Sequence, residues 1–583
     1  MAFAVMEWNE QRETVFKDRY ALKDINGAML ETDPSQMWDR VARAMSNSPE
    51  EYEQYYYILK NFKFVPSGRI LSGAEAGQQV TYYNCFVIGV RSKEEGKGND
   101  SRSGIMNTLD TMVEITARGG GVGINWSTLR PRGSYIRGVH GSSSGANSWM
   151  RGADGLADQI RQGGSRTAAL MFMLEDWHPD ILEFVNPTKR FERANFSVGI
   201  SDRFMKALRE DDDWTLVFPD TSHPLYDREW DGDIQGWVES GLPVNEYGSI
   251  RARDLWDAIC QGAHTTGSPG VIFLERCNKR SNTWFTEKLI AMNPCGEQSL
   301  PAGGSCNLGS INLPTFWDPV RKEIKWSKLS KTIKIAVQFL DSVIDKSVDI
   351  NQEIGDIQRG VRRVGLGTMG LADLLIMKGI RYGSAECIEF IDSLYSFIRD
   401  QAYLASTELA SRLGSAPDLD VGKFLQGHFI RTLPNEVKVA IRSNGIRNMQ
   451  LLTQAPTGTT SILAGVSSGI EPVFRASYTR KDATGEHKVL HPLFKGQCGP
   501  HLVTASQVSI EEHIRVQAAI QKYLDSSISK TVNLSHDSTV EDVSMAYHMA
   551  YDKGCKGTTI YRNGSLEDDV LSEEEVTCEA CSI

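Results

Sequence analysis

Ile290-Ala-Met-Asn-Pro-Cys-Gly-Glu-Gln298 sets a thiol between an amide and a carboxylate at alternate positions, Asn293, Cys295 and Glu297. In an extended segment side chains alternate between two faces, so all three would project to one side. Pro294 and Gly296 suit a central strand poorly and a loop end well, which points to an exposed turn in a pocket. Eleven residues after Cys295, the stretch Ser305-Cys-Asn-Leu-Gly-Ser-Ile-Asn-Leu313 brings a second thiol, Cys306. Taken singly, each cysteine also reads as a small buried residue, because free cysteine is commonly buried.

Outward from this stretch, Tyr82-Tyr-Asn-Cys-Phe-Val-Ile-Gly89 is dense in aromatic and β-branched residues and reads as a buried strand carrying Cys85. Trp214-Thr-Leu-Val-Phe218 and Val271-Ile-Phe-Leu274 are further strand candidates. Apolar residues recur at helical spacing in Ile333, Val337, Leu340 and Ile344, and again in Ile391, Leu394, Tyr395 and Ile398. A helical stretch is expected around Met37 to Leu59, after which the turn residues of Val65-Pro-Ser-Gly-Arg69 punctuate the chain. Strands and helices thus alternate over most of the length, which predicts a large α/β architecture with buried, largely parallel strands. The division expected is a helical region over 1–62, a main body over 63–565 and a mobile tail over 566–583. That tail holds the acidic run Glu567-Asp-Asp-Val-Leu-Ser-Glu-Glu-Glu575.

The chain has 583 residues, 40% of them hydrophobic and 23% charged, enough to bury a core larger than one ordinary domain needs. No run of about eighteen apolar residues occurs, and the opening Met1-Ala-Phe-Ala-Val-Met-Glu-Trp meets an acid before a signal-peptide core could form. A soluble, cytoplasmic protein with no membrane partner is expected. The net charge of -11 argues against a broad nucleic-acid surface and leaves room for a local phosphate pocket. The cysteines are dispersed, as expected of thiols in a reducing compartment. Cys578-Glu-Ala-Cys581 alone has a two-residue gap, and no second such pair or nearby histidine completes a tetrahedral set, so thiol exchange rather than metal is expected there.

Four other segments carry possible chemistry. Gln454-Ala-Pro-Thr-Gly-Thr-Thr-Ser461 is rich in hydroxyls and runs into apolar Ile462-Leu-Ala464; a loop entering a helix can offer N–H groups to an anion, though a plain capped helix start looks similar. Gly119-Gly-Gly-Val-Gly-Ile-Asn-Trp-Ser-Thr-Leu-Arg130 and Arg161-Gln-Gly-Gly-Ser-Arg166 pair glycine with arginine, which suits movable loops that reach phosphate or base. Gly365-Leu-Gly-Thr-Met-Gly370 fits a dinucleotide fingerprint and alone would suggest an NAD-dependent dehydrogenase. Against that, the preceding Gln358-Arg-Gly-Val-Arg-Arg363 is basic and broken by glycine, unlike the buried strand a fingerprint should follow. A noncatalytic, thiol-regulated nucleotide-binding protein is the third class, and it leaves the Asn293, Cys295 and Glu297 arrangement without a purpose.

From Asn293 through Leu313 the sequence closely resembles the catalytic loop of ribonucleotide reductases, and the likeness extends over about 62–565. The resemblance implies the family's ten-stranded α/β barrel with the radical cysteine on a central loop, and reduction of ribonucleotides to 2′-deoxyribonucleotides. On matching positions it implies that Cys295 becomes a thiyl radical and removes the 3′ hydrogen of the ribose. Glu297 would be the base on the 3′ hydroxyl, and Asn293 would hold the substrate. Cys85 and Cys306 would supply two electrons and finish as a disulfide, which the Cys578 and Cys581 tail pair would reduce by exchange. Thr457, Gly458, Thr459, Thr460 and Ser461, joined by Ser67, match the substrate-phosphate loop. Asp100, Arg130, Gln162 and Arg166 match the deoxynucleotide-effector region. The GLGTMG segment has its counterpart in the family as tight packing.

The radical has to come from elsewhere, since a thiol cannot supply its own oxidant. Members fed by a ferritin-like, metal-containing subunit carry two adjacent tyrosines near the barrel's end, where Thr558-Thr-Ile-Tyr-Arg-Asn-Gly-Ser565 has only Tyr561 as a possible relay. That pattern, with Pro66-Ser-Gly-Arg-Ile-Leu71, resembles adenosylcobalamin-dependent members, while the tail resembles members with a partner subunit. Adenosylcobalamin is favoured, with the dinuclear iron or manganese subunit as the alternative. A homodimer, a thioredoxin- or glutaredoxin-type reductant, and dNTP or ATP effectors are further expectations. The family's N-terminal ATP-binding domain is expected to be missing, because catalytic-type sequence begins within the first seventy residues.

Overall fold

The computed structural model describes residues 8–77, 80–162, 166, 167, 169–189, 191, 193–482, 485–495 and 499–565. Thirteen strands place the site. They are β1 (Phe64–Pro66), β2 (Cys85–Gly89), β3 (Gly121–Asn125), β4 (Leu170–Glu175), β5 (Ala194–Gly199), β6 (Gly270–Ile272), β7 (Ala291–Met292), β8 (Ser299–Leu300), β9 (Ser305–Cys306), β10 (Leu308–Asn312), β11 (Gly365–Met369), β12 (Thr531–Leu534) and β13 (Gly557–Arg562).

Strands β2 to β6 form a five-stranded parallel set, nearly every residue of which is buried, as expected of strands covered on both faces. β9 joins antiparallel at one edge and β13 at the other, with β12 parallel to β13. β10 runs parallel to β11 and antiparallel to β1. Single bridges connect these sheets: Leu366 of β11 pairs with Leu452, and Gln454 with Ile528, just before β12. The segment 305–312 touches β2 through β9 and β11 through β10. Ten extended segments therefore link in a ring, β2, β3, β4, β5, β6, β13, 528–534, 451–454, β11 and 305–312, in two parallel halves of opposite direction. This is the expected ten-stranded α/β barrel.

Helices cover it. The periodic stretches at Ile333 and Ile391 lie in long helices, Trp326–Lys346 and Ala385–Leu413, that bury their apolar faces. The helical stretch expected around Met37 to Leu59 is helical in two pieces, Pro34–Met45 and Pro49–Leu59. Pro49 cannot sit inside a helix, and Ser48 caps the second one by accepting from the Glu51 N–H at 3.2 Å. The Val65–Arg69 turn is a junction between β1 and the short helix Gly68–Gly73. Trp214–Phe218 lies in an antiparallel pair, Asp213–Pro219 against Val244–Arg251, outside the barrel.

Two glycine-rich readings change. Gly121–Asn125 is a buried barrel strand, so this part of the segment expected to be a movable loop is fixed in the wall. A Cβ on Gly123 would lie 1.9 Å from the Met292 carbonyl oxygen, and one on Gly121 would lie 3.0 Å from Pro294 Cγ. These glycines admit the segment 290–298 against the wall. Gly365–Met369 is likewise a buried strand, and a Cβ on Gly367 would meet the Thr453 carbonyl oxygen at 2.4 Å. The GLGTMG glycines serve close strand pairing rather than a cofactor turn.

Candidate active site

The hairpin β7–β8 projects into the ring and carries the thiol at its tip. Asn293 N–H donates to the Gln298 carbonyl at 3.0 Å, and Gly296 N–H to the Asn293 carbonyl at 3.0 Å, which closes a turn with Pro294 at its preferred second position. Gly296 has φ +77, the left-handed conformation that favours glycine. The tip is thus a turn and not the regular alternation of a strand. It leaves Cys295 exposed while Asn293 and Glu297 are buried.

Cys85 begins β2, and the strand register sets Cys306 directly opposite it on β9. Facing residues of an antiparallel pair have Cα atoms about 4.5–5.5 Å apart, within the range a disulfide spans. The Cys85 thiol lies within hydrogen-bond reach of both Cys295 and Cys306. All three are free thiols. Cys306 contact and burial outweigh the Cys295 contact and hold Cys85 well above the usual thiol range, and burial raises Cys306. Both therefore stay neutral S–H groups at neutral pH, suited to giving hydrogen rather than to acting as thiolates.

Burial lifts Glu297 to about 7, partly offset by the neighbouring Asn293 amide. A carboxyl poised there can accept a proton and return it. Its backbone is pinned, since the Glu297 carbonyl accepts from Thr453 Oγ1 at 2.5 Å and from the Ser527 N–H at 3.0 Å. Glu297 Oε2 is buried with no hydrogen-bond partner, and Asn293 Nδ2, near enough to the carboxyl to hold its pKa down, makes no hydrogen bond of full geometry. Buried polar atoms are rarely left so, and these two await a ligand with a donor and an acceptor.

The hydroxyl-rich loop enters a helix, Gly458–Ala464, with Thr457 in the left-handed conformation before it. Thr457 Oγ1 accepts from the Gly469 N–H at 2.8 Å, Thr460 Oγ1 donates to the Thr457 carbonyl at 3.1 Å, and Ser461 Oγ donates to the Gly458 carbonyl at 2.9 Å. Ser67 is brought to the same end of the barrel by its N–H bond to the Leu308 carbonyl at 2.9 Å, and its hydroxyl is buried without a partner. Tyr561 lies at the far end of β13, which runs antiparallel to β6, so it stands at the end of the barrel where Cys85 begins β2.

Asp100 and Arg130 also come together, but with each other. Arg130 donates to both Asp100 carboxylate oxygens, at 2.6 and 3.1 Å, and Tyr226 Oη donates to Oδ2 at 2.7 Å. Gln162 and Arg166 are paired in the register of a two-stranded hairpin; their side chains, like Cys578 and Cys581, lie outside the described residues. Sequence reasoning missed Tyr226, and it missed Arg363, a buried guanidinium whose charge reaches Cys306. Neither carries a local sequence signal, because each is brought in by the fold from far along the chain. A cavity of about 1110 Å³ opens at the opposite mouth, lined by Gly89, Asn125 and Glu175 at the ends of their strands, by Leu274 just past β6 and by Ile290 at the hairpin's root. It reaches none of the three thiols.

An α/β barrel with a central hairpin that presents a thiol beside a facing pair of thiols and a buried carboxyl defines a thiol-redox enzyme fold. Residues 83–561 match the ribonucleotide reductase barrel domain, and 7–79 its all-alpha domain. The chain belongs to the ribonucleotide reductase family, as its large catalytic subunit. It is 33% identical over 605 residues to a vitamin B12-dependent ribonucleoside-diphosphate reductase of Mycobacterium tuberculosis strain CDC 1551, covering 96% of this chain and 80% of that one. Identity is 34% over 551 residues to the protein of the same name from Thermoplasma acidophilum, covering 88% and 65%. A variola virus ribonucleoside-diphosphate reductase large subunit is 29% identical over 499 residues, covering 81% and 63%. The dehydrogenase and noncatalytic readings are not favoured. Among the described residues no helix is long and apolar enough to cross a membrane.

Proposed function

We propose that this chain reduces ribonucleoside diphosphates with Cys295 as the radical-bearing thiol, Glu297 as the base and Cys85 with Cys306 as the electron source. The observation that carries this reading is Cys85 facing Cys306 across the β2–β9 pair, with the Cys295 thiol also in contact with Cys85. Cys295 takes the 3′ hydrogen and later returns one. Glu297 holds the 3′ hydroxyl proton, and Asn293 Nδ2 donates to the substrate. The 2′ hydroxyl leaves as water, taking a proton from the thiol pair. Two S–H groups become one S–S bond, so each deoxyribonucleotide and water formed is balanced by one Cys85–Cys306 disulfide. Thr457 to Ser461 and Ser67 bind the phosphates.

The relatives named vitamin B12-dependent support adenosylcobalamin as the radical source. The exposed Cys295 fits such a group: the thiol is accessible at the tip of the turn, and a Cβ on the neighbouring Gly296 would meet no atom within 4 Å. When bound, adenosylcobalamin supplies the oxidising equivalent for the Cys295 thiol. The tail pair Cys578 and Cys581 would pass electrons from a thioredoxin-type reductant, and deoxynucleotide effectors would act on a homodimer through the Asp100 to Arg166 region.

The test is anaerobic turnover of mixed ribonucleotides with dithiothreitol and deoxynucleotide effectors, with and without adenosylcobalamin. Product that depends on the cobalamin and vanishes in Cys295→Ser is expected. Product formed without it would overturn the cobalamin assignment, and product from Cys295→Ser would overturn the role of that thiol.

A further inference from the structure

The N-terminal helix Glu10–Arg19 lies against the helix of the hydroxyl-rich loop, and with Tyr20, the residue that ends it, holds that helix at both ends. At the far end, buried Arg12 donates from Nε to the Leu463 carbonyl at 2.9 Å, and its guanidinium lies 3.1 Å from where a Cβ on Gly465 would be. At the near end, Tyr20 Oη shares a hydrogen bond with Thr459 Oγ1. The Tyr20 ring is 2% exposed and stands 3.2 Å from where a Cβ on Gly68 would be, beside Ser67. Ser67 is 7% exposed and its hydroxyl has no partner. Arg40 Nη2 donates to the Tyr20 carbonyl at 3.3 Å, fixing the tyrosine's backbone.

We propose that Tyr20 is a positioning residue for the substrate phosphates: it orients the Thr459 hydroxyl and, with Gly68, sets the spacing between that hydroxyl and the waiting Ser67 hydroxyl. A hydroxyl has one proton and two lone pairs, so fixing the partner of Thr459 decides whether it offers a donor or an acceptor to a phosphate oxygen. The all-alpha region is thereby part of the substrate site and not only a cover for it. This proposal rests on the reading of 457–461 as the phosphate loop.

The test uses the full chain under turnover conditions, with Tyr20→Phe, Thr459→Ala and the double variant. Phenylalanine keeps the ring that fills the site, so thermal unfolding should be close to that of the parent. Losing one oriented hydrogen bond is worth about 1 kcal/mol, so Tyr20→Phe should raise KM about fivefold with kcat within about twofold. Inhibition by inorganic pyrophosphate should weaken by the same factor, and the double variant should be no worse than Thr459→Ala. An unchanged KM in Tyr20→Phe beside a raised one in Thr459→Ala overturns the proposal and leaves the phosphate loop standing. Unchanged KM in both removes the phosphate-loop reading and the proposal with it. Additive effects, or a loss in kcat and thermal stability alone, show Tyr20 acting elsewhere and also overturn it.

Discussion

The tip of the β7–β8 hairpin and the Asp100–Arg130 cluster both bury ionisable groups, yet they treat them in opposite ways. Around Asp100 each carboxylate oxygen has a donor, two from Arg130 and one from Tyr226. At the hairpin, Glu297 Oε2 and, at the nearby loop, Ser67 Oγ are buried with nothing to bond. A satisfied buried pair is costly to break and does not need a ligand, whereas an unsatisfied buried group is retained where a ligand completes it. The difference separates where chemistry is expected from what keeps the barrel in shape.

The comparison is broken most severely at Cys295. Cys295→Ala should cut deoxyribonucleotide formation by at least about a thousandfold with thermal unfolding unchanged, because an exposed thiol contributes little packing. Glu297→Gln should lower kcat/KM about a hundredfold and abolish the rise in the parent's pH profile near 7. The same change tests stability. Between the ordinary carboxyl range and about 7 the folded chain keeps a proton that the unfolded chain has released, so Glu297 costs stability as pH rises through that window, and the glutamine variant should lose that dependence in denaturant titrations.

The satisfied cluster should respond in stability first. Asp100→Asn leaves Arg130 without its carboxylate and should cost about 3 kcal/mol in denaturant unfolding. The response to deoxynucleotides should weaken in the same variant, and unfolding like the parent's would show that the cluster serves the effector region without supporting the fold. Ser67→Ala should have the smallest effect on folding, within about 0.5 kcal/mol, since it deletes a hydroxyl that has no partner. Its KM should still rise, which separates a waiting ligand group from an idle one.

Much of the architecture was legible. The apolar runs at Cys85 and Val271 became barrel strands, and the periodic stretches at Ile333 and Ile391 became long helices. Local pattern misled where glycine was dense: Gly121 and Gly123 read as loop because nothing in the sequence announces a hairpin carbonyl 1.9 Å from a would-be Cβ. The hairpin itself was half legible, its turn from Pro294 and Gly296, while the facing of Cys85 and Cys306 depends on strand register that no local spacing encodes. Tyr20, Tyr226 and Arg363 were illegible for the same reason, each joining its partners across more than fifty residues of chain.

The central claim is that three thiols divide the work, one bearing the radical and two the electrons. The most direct measurement is a single anaerobic turnover without reductant, followed by alkylation and peptide mass spectrometry. The account predicts one Cys85–Cys306 disulfide per deoxyribonucleotide formed, with Cys295 alkylated as a free thiol. Product formed with Cys85 and Cys306 both still reduced, or a disulfide that includes Cys295, would contradict it.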